Sequence, residues 1–183
     1  MALFIAQAPG PRESTATFGT TVVSSSGFRG DIYFIKPHST KLPKFERLKP
    51  VGSVYTNALQ VQARDFREGF PGVTDRLEWF AIDYNGRFWI QEPGYYDFSL
   101  LSDDGSKLYI DGKTIINNDG VHRAIEVTGG VKLKAGMHRI RVSYFRGPAF
   151  AVALVLNAAR PDEKLHSFDL DQFLPPPGHQ DWK

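Results

Sequence analysis

The sequence predicts an all-β fold, built as an antiparallel β-sandwich with little or no helix. Short runs of β-branched and aromatic residues recur along the chain, and turns containing Gly, Pro or Asp separate them at intervals of about 8–12 residues. No segment shows the apolar period of an amphipathic helix. With 183 residues, of which 42% are hydrophobic and 23% charged, the chain is long enough for one domain with a core.

The predicted sandwich occupies residues 30–174, because the first clear strand signal lies near its start. Residues 32–35 (Ile-Tyr-Phe-Ile) are of strand-forming types, and Pro37 ends the run. Residues 10–30 are rich in Gly, Ser and Thr, and we expect residues 1–29 to form an irregular lead-in that could include an edge strand. Residues 175–183 include three consecutive prolines and are expected to form a tail or linker.

The strongest local signal is a β-hairpin centred on Asp111-Gly112. This dipeptide lies between the apolar runs of residues 108–110 and 114–116. An Asp-Gly pair in that setting favours a two-residue type I′ turn, in which both residues have positive φ. The sequence therefore predicts two antiparallel strands joined by this turn.

Further runs predict the strands on either side of the hairpin. Residues 86–90 and 95–101 are β-rich and flank a Pro-Gly turn. Residues 138–144 alternate apolar and polar side chains, which predicts a strand with one buried face, and residues 131–134 do the same. Residues 150–156 form a nearly continuous apolar run, which is typical of a central strand covered on both faces.

Composition excludes several classes of function. The net charge of +2 and the spread of basic residues argue against nucleic acid as a partner. The stretch from Lys36 to Lys49 is locally basic and is expected to be a solvated loop. The absence of cysteine excludes disulfides, thiolate metal sites and cysteine nucleophiles. No apolar run is long enough to span a bilayer, so no membrane insertion is expected, and no signal peptide is visible in MALFIAQAPG.

Five short segments carry a family resemblance when they are taken in order. They are PGYYDF (residues 93–98), LSDDGS (residues 101–106), YIDG (residues 109–112), AGMH (residues 135–138) and VSYF (residues 142–145). Together they resemble the PA14 domain family over about residues 30 to 160. The family is a jelly-roll-like β-sandwich found in adhesins, glycosidases, toxins and cell-surface proteins, so the resemblance implies that fold.

The resemblance also implies a function and a setting. Members of the family commonly bind carbohydrate, and some of them use Ca²⁺. A glycan or glycoconjugate is therefore the implied partner, together with other domains of a larger parent protein. The implied location is extracellular, or in the cell envelope or periplasm.

The adjacent Asp103 and Asp104 are the predicted metal ligands and also predicted ligand-binding residues. In the calcium-dependent lectin members the corresponding aspartates hold the ion, and sugar hydroxyls complete its coordination. Neighbouring side chains on an extended strand point to opposite faces, so a cis peptide bond between the two would be needed to bring both carboxylates to one side. The alternative is a plain turn, in which Asp caps backbone amides and Gly105 supplies a positive φ.

One segment departs from the calcium-binding pattern of the family. There a second loop supplies a side-chain ligand, usually an amide, but here that loop is Arg146-Gly147-Pro148. A guanidinium cannot ligate Ca²⁺. Either backbone carbonyls complete the coordination or the ion has been lost, and Arg146 then pairs with a carboxylate.

A second polar cluster lies on the loop after the hairpin. Its members Asn117, Asn118, Asp119 and His122 are predicted ligand-binding residues, as is Arg146, through oxygens that add to an ion site or hydrogen bonds to a sugar. The alternative is that this loop consists only of turns. His122 stands near neither a nucleophile elbow nor a His-Glu-x-x-His pattern, so no catalytic residue is predicted.

The leading hypothesis is thus a non-catalytic, lectin-like glycan-binding module that serves adhesion or positions a partner enzyme. The alternative is a structural or protein–protein interaction domain with no sugar ligand. A catalytic domain acting on carbohydrate is the third hypothesis, but no constellation of residues in the sequence supports it.

Overall fold

The computed structural model describes residues 27–73, 75–148 and 151–179. Within these residues the chain forms eleven β-strands and three 3₁₀ helices, and the strands make two antiparallel sheets. The predicted all-β antiparallel sandwich with little helix is confirmed. The described helices span three or four residues each, and none of them is long and apolar enough to cross a membrane.

The first sheet has six strands. They are β1 (Phe28–Phe34), β2 (Gly52–Thr56), β4 (Phe80–Ile90), β6 (Ser106–Ile110), β7 (Lys113–Asn118) and β9 (Gly136–Arg146). Their order in the sheet is β2-β1-β4-β9-β6-β7, so β4 and β9 lie in its centre.

The second sheet has five strands. They are β3 (Gln60–Asp65), β5 (Gly94–Asp103), β8 (Ile125–Leu133), β10 (Ala151–Ala159) and β11 (His166–Ser167). The order is β11-β10-β5-β8, and β3 also pairs with β10. The apolar run predicted as a central strand is β10, which is hydrogen-bonded on both edges and is almost entirely buried.

The predicted hairpin is confirmed as β6 and β7. Asp111 has φ of +49° and Gly112 has φ of +78°, which are the signs that a type I′ turn requires. The local sequence was sufficient for this prediction because the turn geometry depends on these two residues alone.

The core lies between the two sheets, where side chains from alternate positions of each strand meet. The first sheet contributes rings such as Phe80 and Tyr144, and the second contributes aliphatic side chains such as Leu100 and Leu154. Phe70, from the segment after β3, stacks on Tyr144 with ring centroids 5.1 Å apart. Burial of this apolar surface is the main favourable contribution to folding.

The basic stretch from Lys36 to Lys49 is more than a solvated loop. Its charged side chains are exposed, as predicted, but Phe45 is buried against Tyr33 on the outer face of the first sheet. Leu42 and Leu48 pack into the same cluster. The loop therefore covers that face of the sheet with apolar side chains while its cations point to solvent.

Both chain ends extend beyond the described residues. Residues 1–26, which make up most of the predicted lead-in, and residues 180–183 of the predicted tail lie outside them. The ring of His179 lies 4.3 Å from that of Trp89 on β4. The domain boundaries and the linker stay predictions.

Candidate functional site

Three segments meet at one end of the sandwich, because of how their strands are paired. Asp103 ends β5 and Arg146 ends β9, while the loop between β7 and β8 (residues 119–124) lies beside both. The backbone N–H of Phe145 donates to the carbonyl of Gly105 across 2.9 Å, which fixes the end of β9 against the turn after β5. We call Asp103, Asp104, His122, Arg146 and Gly147 the Asp104 site.

A buried guanidinium faces both aspartates. The Asp103–Asp104 peptide bond is cis. Arg146 Nη1 donates to Asp104 Oδ2 at 2.7 Å and lies 3.4 Å from Asp103 Oδ1. The two carboxylates are 1% exposed and Arg146 is 0% exposed. The pairing of Arg146 with a carboxylate, one of the two possibilities left open by the sequence, is what the structure contains.

Asp104 joins the three segments through its hydrogen bonds. Its Oδ2 atom accepts from Arg146 Nη1 and from the backbone N–H of Gly147, each at 2.7 Å. Its Oδ1 atom accepts from the backbone N–H of His122 at 3.1 Å. A charged acceptor that receives three hydrogen bonds in a buried place holds these loops in one arrangement.

Asp103 is in a less favourable environment than Asp104. Burial raises the pKa of the Asp103 carboxyl to about 6, and the charge of Asp104 beside it also raises this pKa. The Tyr144 hydroxyl donates to the carbonyl oxygen of Asp103 at 2.6 Å and so fixes its backbone. Asp103 Oδ2 makes no hydrogen bond with the described residues, and neither do Nε and Nη2 of Arg146.

His122 is held in place by backbone oxygens. Its Nδ1 lies 2.8 Å from the carbonyl of Arg123 and its Nε2 lies 3.0 Å from the carbonyl of Asn118. The ring therefore stabilises its own loop, while its main-chain N–H contacts Asp104.

Three of the predicted residues make their side-chain hydrogen bonds with groups outside the Asp104 site. Asn118 is buried and donates to Ser102 Oγ and to the carbonyl of Ile125, each at 3.1 Å. Asp119 accepts from the backbone N–H of Leu42 and from Lys107. Asn117 is exposed and its side chain accepts from the N–H of Asp119. Their assignment as ligand-binding residues stays a prediction.

Gly105 has a role that the sequence did not indicate. Its φ is not in the positive region, contrary to the plain-turn interpretation. A Cβ atom at this position would lie 2.7 Å from the backbone nitrogen of Gly120 and 2.8 Å from its oxygen. The buried Phe145 ring and the close approach of the Gly120 backbone both leave no room for a side chain here, and such contacts between distant segments leave no mark in the local sequence.

The groups around the two aspartates do not fit a calcium ion. Ca²⁺ binds six to eight oxygens at about 2.3–2.6 Å. The groups that contact Asp104 are instead N–H donors, and two of the three buried atoms without a hydrogen bond at this site are nitrogens of Arg146. No group of three or more His, Cys, Asp or Glu residues among the described positions is arranged to hold a metal ion.

Comparison with known protein families shows which family the chain belongs to. The family model of the PA14 domain matches residues 32–171, which is most of the chain. The chain belongs to the PA14 domain family. The resemblance carried by the five short segments is therefore confirmed.

Solved PA14 domains share the fold at low sequence identity. The PA14 domain of the MpAFP antifreeze protein superposes with a TM-score of 0.67 at 17% identity, over 85% of this chain and 94% of that one. The PA14 sugar-binding domain of an RTX adhesin gives a TM-score of 0.65 at 15% identity, over 81% of this chain and 97% of that one. At such identities the likeness shows the fold alone.

A relative with higher identity is a much longer protein. The probable β-glucosidase I of Aspergillus clavatus is 33% identical over 43% of this PA14 chain. The match spans only 10% of the length of that relative.

Proposed function

We propose that this PA14 domain is a non-catalytic glycan-binding module of a larger extracellular or cell-envelope protein. The observation that carries the proposal is the convergence of three loops on Asp104 at one end of a rigid sandwich. Loops that a scaffold holds in a fixed arrangement are where binding sites usually form.

The surface of this end offers the contacts that a sugar needs. The side chains of Asn117, Arg123 and the adjoining Val121 and Ile125 are exposed around the β7–β8 loop. Amide and guanidinium groups hydrogen-bond hydroxyls, and the aliphatic groups cover the apolar face of a pyranose ring. The PA14 domain of the RTX adhesin, which is described as sugar-binding, supports extension of this activity to the present chain.

Two observations support a module without catalysis of its own. The buried carboxylate of Asp83 is occupied by Arg141 Nε at 2.7 Å and Ser143 Oγ at 2.8 Å. Asp104 is occupied in the same way by Arg146 and Gly147. Carboxylates held by cations are poor general acids. The β-glucosidase relative matches over a tenth of its length, which favours a PA14 domain attached to a separate catalytic part.

The second candidate is a domain that packs against neighbouring protein domains. Strand β2 lies at an edge of the first sheet; Val51, which precedes it, is 56% exposed, and Tyr55, within it, is 43% exposed. An edge strand with exposed apolar side chains favours protein contact.

A glycan array distinguishes the two candidates. Arg123→Ala and Asn117→Ala should each weaken binding to the same glycans, because both side chains lie on the loop end. Lys164→Ala is the matched control: Lys164 is exposed and lies between β10 and β11, after Ala159, which pairs with Asp97 rather than with the Asp103 end of β5. An array without signal, or equal loss in all three variants, would refute glycan binding at this surface and favour the protein-contact candidate.

A further inference from the structure

The side chain of Arg146 is the largest among the fully buried side chains of the described residues. A buried guanidinium is stable only when anions and hydrogen bonds compensate for its lost hydration. Here the compensation comes from Asp103 and Asp104, which are themselves buried and face Nη1, while Nε and Nη2 have no hydrogen-bond partner among the described residues. The three side chains therefore depend on one another.

The Arg146 guanidinium lies where a divalent cation shared by the Asp103 and Asp104 carboxylates would be expected. Nη1 lies within hydrogen-bond distance of Asp104 and 3.4 Å from Asp103, so one group contacts both carboxylates. A divalent ion would neutralise two carboxylates, whereas Arg146 carries a single charge. The remaining negative charge is consistent with the raised pKa of Asp103, for which burial is the main cause and the charge of Asp104 the next.

The neighbouring groups match a guanidinium better than a metal. The N–H groups of His122 and Gly147 already donate to the two oxygens of Asp104. A metal ion placed against those oxygens would face N–H hydrogens and the positive charge of Arg146. Access of a cation thus requires displacement of a side chain that is 0% exposed.

We infer that the Arg146 guanidinium takes the place of a divalent cation between Asp103 and Asp104, so that this end of the domain is assembled without metal. The inference stands on the buried ion cluster and does not depend on whether the domain binds a glycan.

If the guanidinium replaces a cation, a variant without it should recover the ability to bind one. Arg146→Asn removes the positive charge, leaves two buried carboxylates facing a cavity, and adds an amide oxygen that can ligate Ca²⁺. The variant should be destabilised in chelator and stabilised by Ca²⁺, because an ion that binds only the folded state raises its stability. At about a hundred times its Kd, Ca²⁺ should raise the Tm by roughly 5 °C or more.

The test begins with the wild-type protein after chelator treatment. Calorimetric titration with Ca²⁺ should release no heat, and millimolar Ca²⁺ should leave the Tm unchanged. Heat of binding that disappears in Asp104→Asn would overturn the inference, as would a Tm that falls when chelator is added.

The second arm compares Arg146→Asn with Lys164→Asn as the matched control. A Tm rise with Ca²⁺ in Arg146→Asn alone, which is abolished by adding Asp104→Asn, supports the inference. A folded Arg146→Asn variant that does not respond to Ca²⁺ overturns it, because the vacated position would then not be a cation position. If Arg146→Asn folds in neither chelator nor Ca²⁺, the wild-type titration decides, and Arg146→Lys should fold and show no response to Ca²⁺.

Discussion

The backbone N–H of Leu42 donates a 2.8 Å hydrogen bond to Oδ1 of Asp119, across 77 residues of sequence. The other oxygen of the same carboxylate accepts from Lys107 Nζ at 2.9 Å. Asp119 therefore connects the loop that covers the outer face of the first sheet to the loop that carries His122. The arrangement of the surface loops at this end therefore depends on Asp119, whose side chain makes its hydrogen bonds outside the Asp104 site.

Removal of that connection should loosen the outer loop. We expect Asp119→Ala to lower the free energy of unfolding by about 1–3 kcal/mol, because the Leu42 N–H loses its acceptor and Lys107 its counter-charge. Hydrogen exchange should become faster at Leu42 and its neighbours. Lys113→Ala, at the exposed start of β7, serves as the control, and equal protection in both variants would contradict the prediction.

The close approach at Gly105 makes a second prediction. Gly105→Ala should destabilise the domain by about 1–3 kcal/mol, because the added methyl group collides with the backbone of Gly120. Gly52→Ala is the control, since a Cβ atom there meets nothing within 4 Å. Urea unfolding of the two variants measures the difference. Similar midpoints would show that the turn can move away from Gly120.

The buried ion cluster should behave as a coupled unit. Arg146→Met should cost about 3–5 kcal/mol, because it leaves two buried carboxylates without a counter-charge. Combined with Asp104→Asn, the cost should be smaller than the sum of the single changes by about 0.5–3 kcal/mol. The exposed pair of Arg67 and Asp65 is the control, and its double variant should depart from additivity far less, because solvent screens this pair. Additive costs in the buried cluster would contradict the coupling.

Stability should also depend on pH through Asp103. Its pKa is about 6 in the folded protein and about 3.9 in an unfolded chain, so the folded state binds more protons between these values. The stabilising contribution of the protonated group is present below about pH 4 and is lost as the pH rises through about 6.

The matching variant is Asp103→Asn, which removes the titrating group. Relative to wild type, this variant should gain about 1–3 kcal/mol of unfolding free energy between pH 4 and pH 7. Urea titrations at several pH values measure the difference. Asp97→Asn, at the exposed opposite end of β5, is the control. A constant difference for Asp103→Asn across this range would show that the raised pKa is wrong.

Much of the fold could be predicted from local sequence, and the exceptions share a cause. The β6–β7 hairpin depends on Asp111 and Gly112, and the strand periods are visible over four or more residues. The packing of Leu42 and Phe45 on the outer face was missed, because apolar residues in an irregular segment have no period, and the lysines around them indicated solvent.

The site was predictable in part. The sequence identified Asp103, Asp104 and Arg146, but it left open whether backbone carbonyls complete a calcium site or the ion has been lost. The distances from the Arg146 guanidinium to the two carboxylates were needed to choose between these alternatives. The orientation of Asn118 and Asp119 could not be derived, since the β6–β7 pairing shifts register between Leu108 and Tyr109. A one-residue shift changes the face on which each following side chain lies.

The contact of His179 with Trp89 places the end of the described chain away from the Asp104 site. On β4, Phe80 pairs with Arg146 while Trp89 pairs with Met137, so Trp89 lies roughly 30 Å along the strand from the Asp104 end. Any polypeptide that continues past His179 would start from the far side of the sandwich. The Asp104 loops and the last described residue therefore lie at opposite ends of the sandwich, so a partner that binds these loops approaches from the side away from His179.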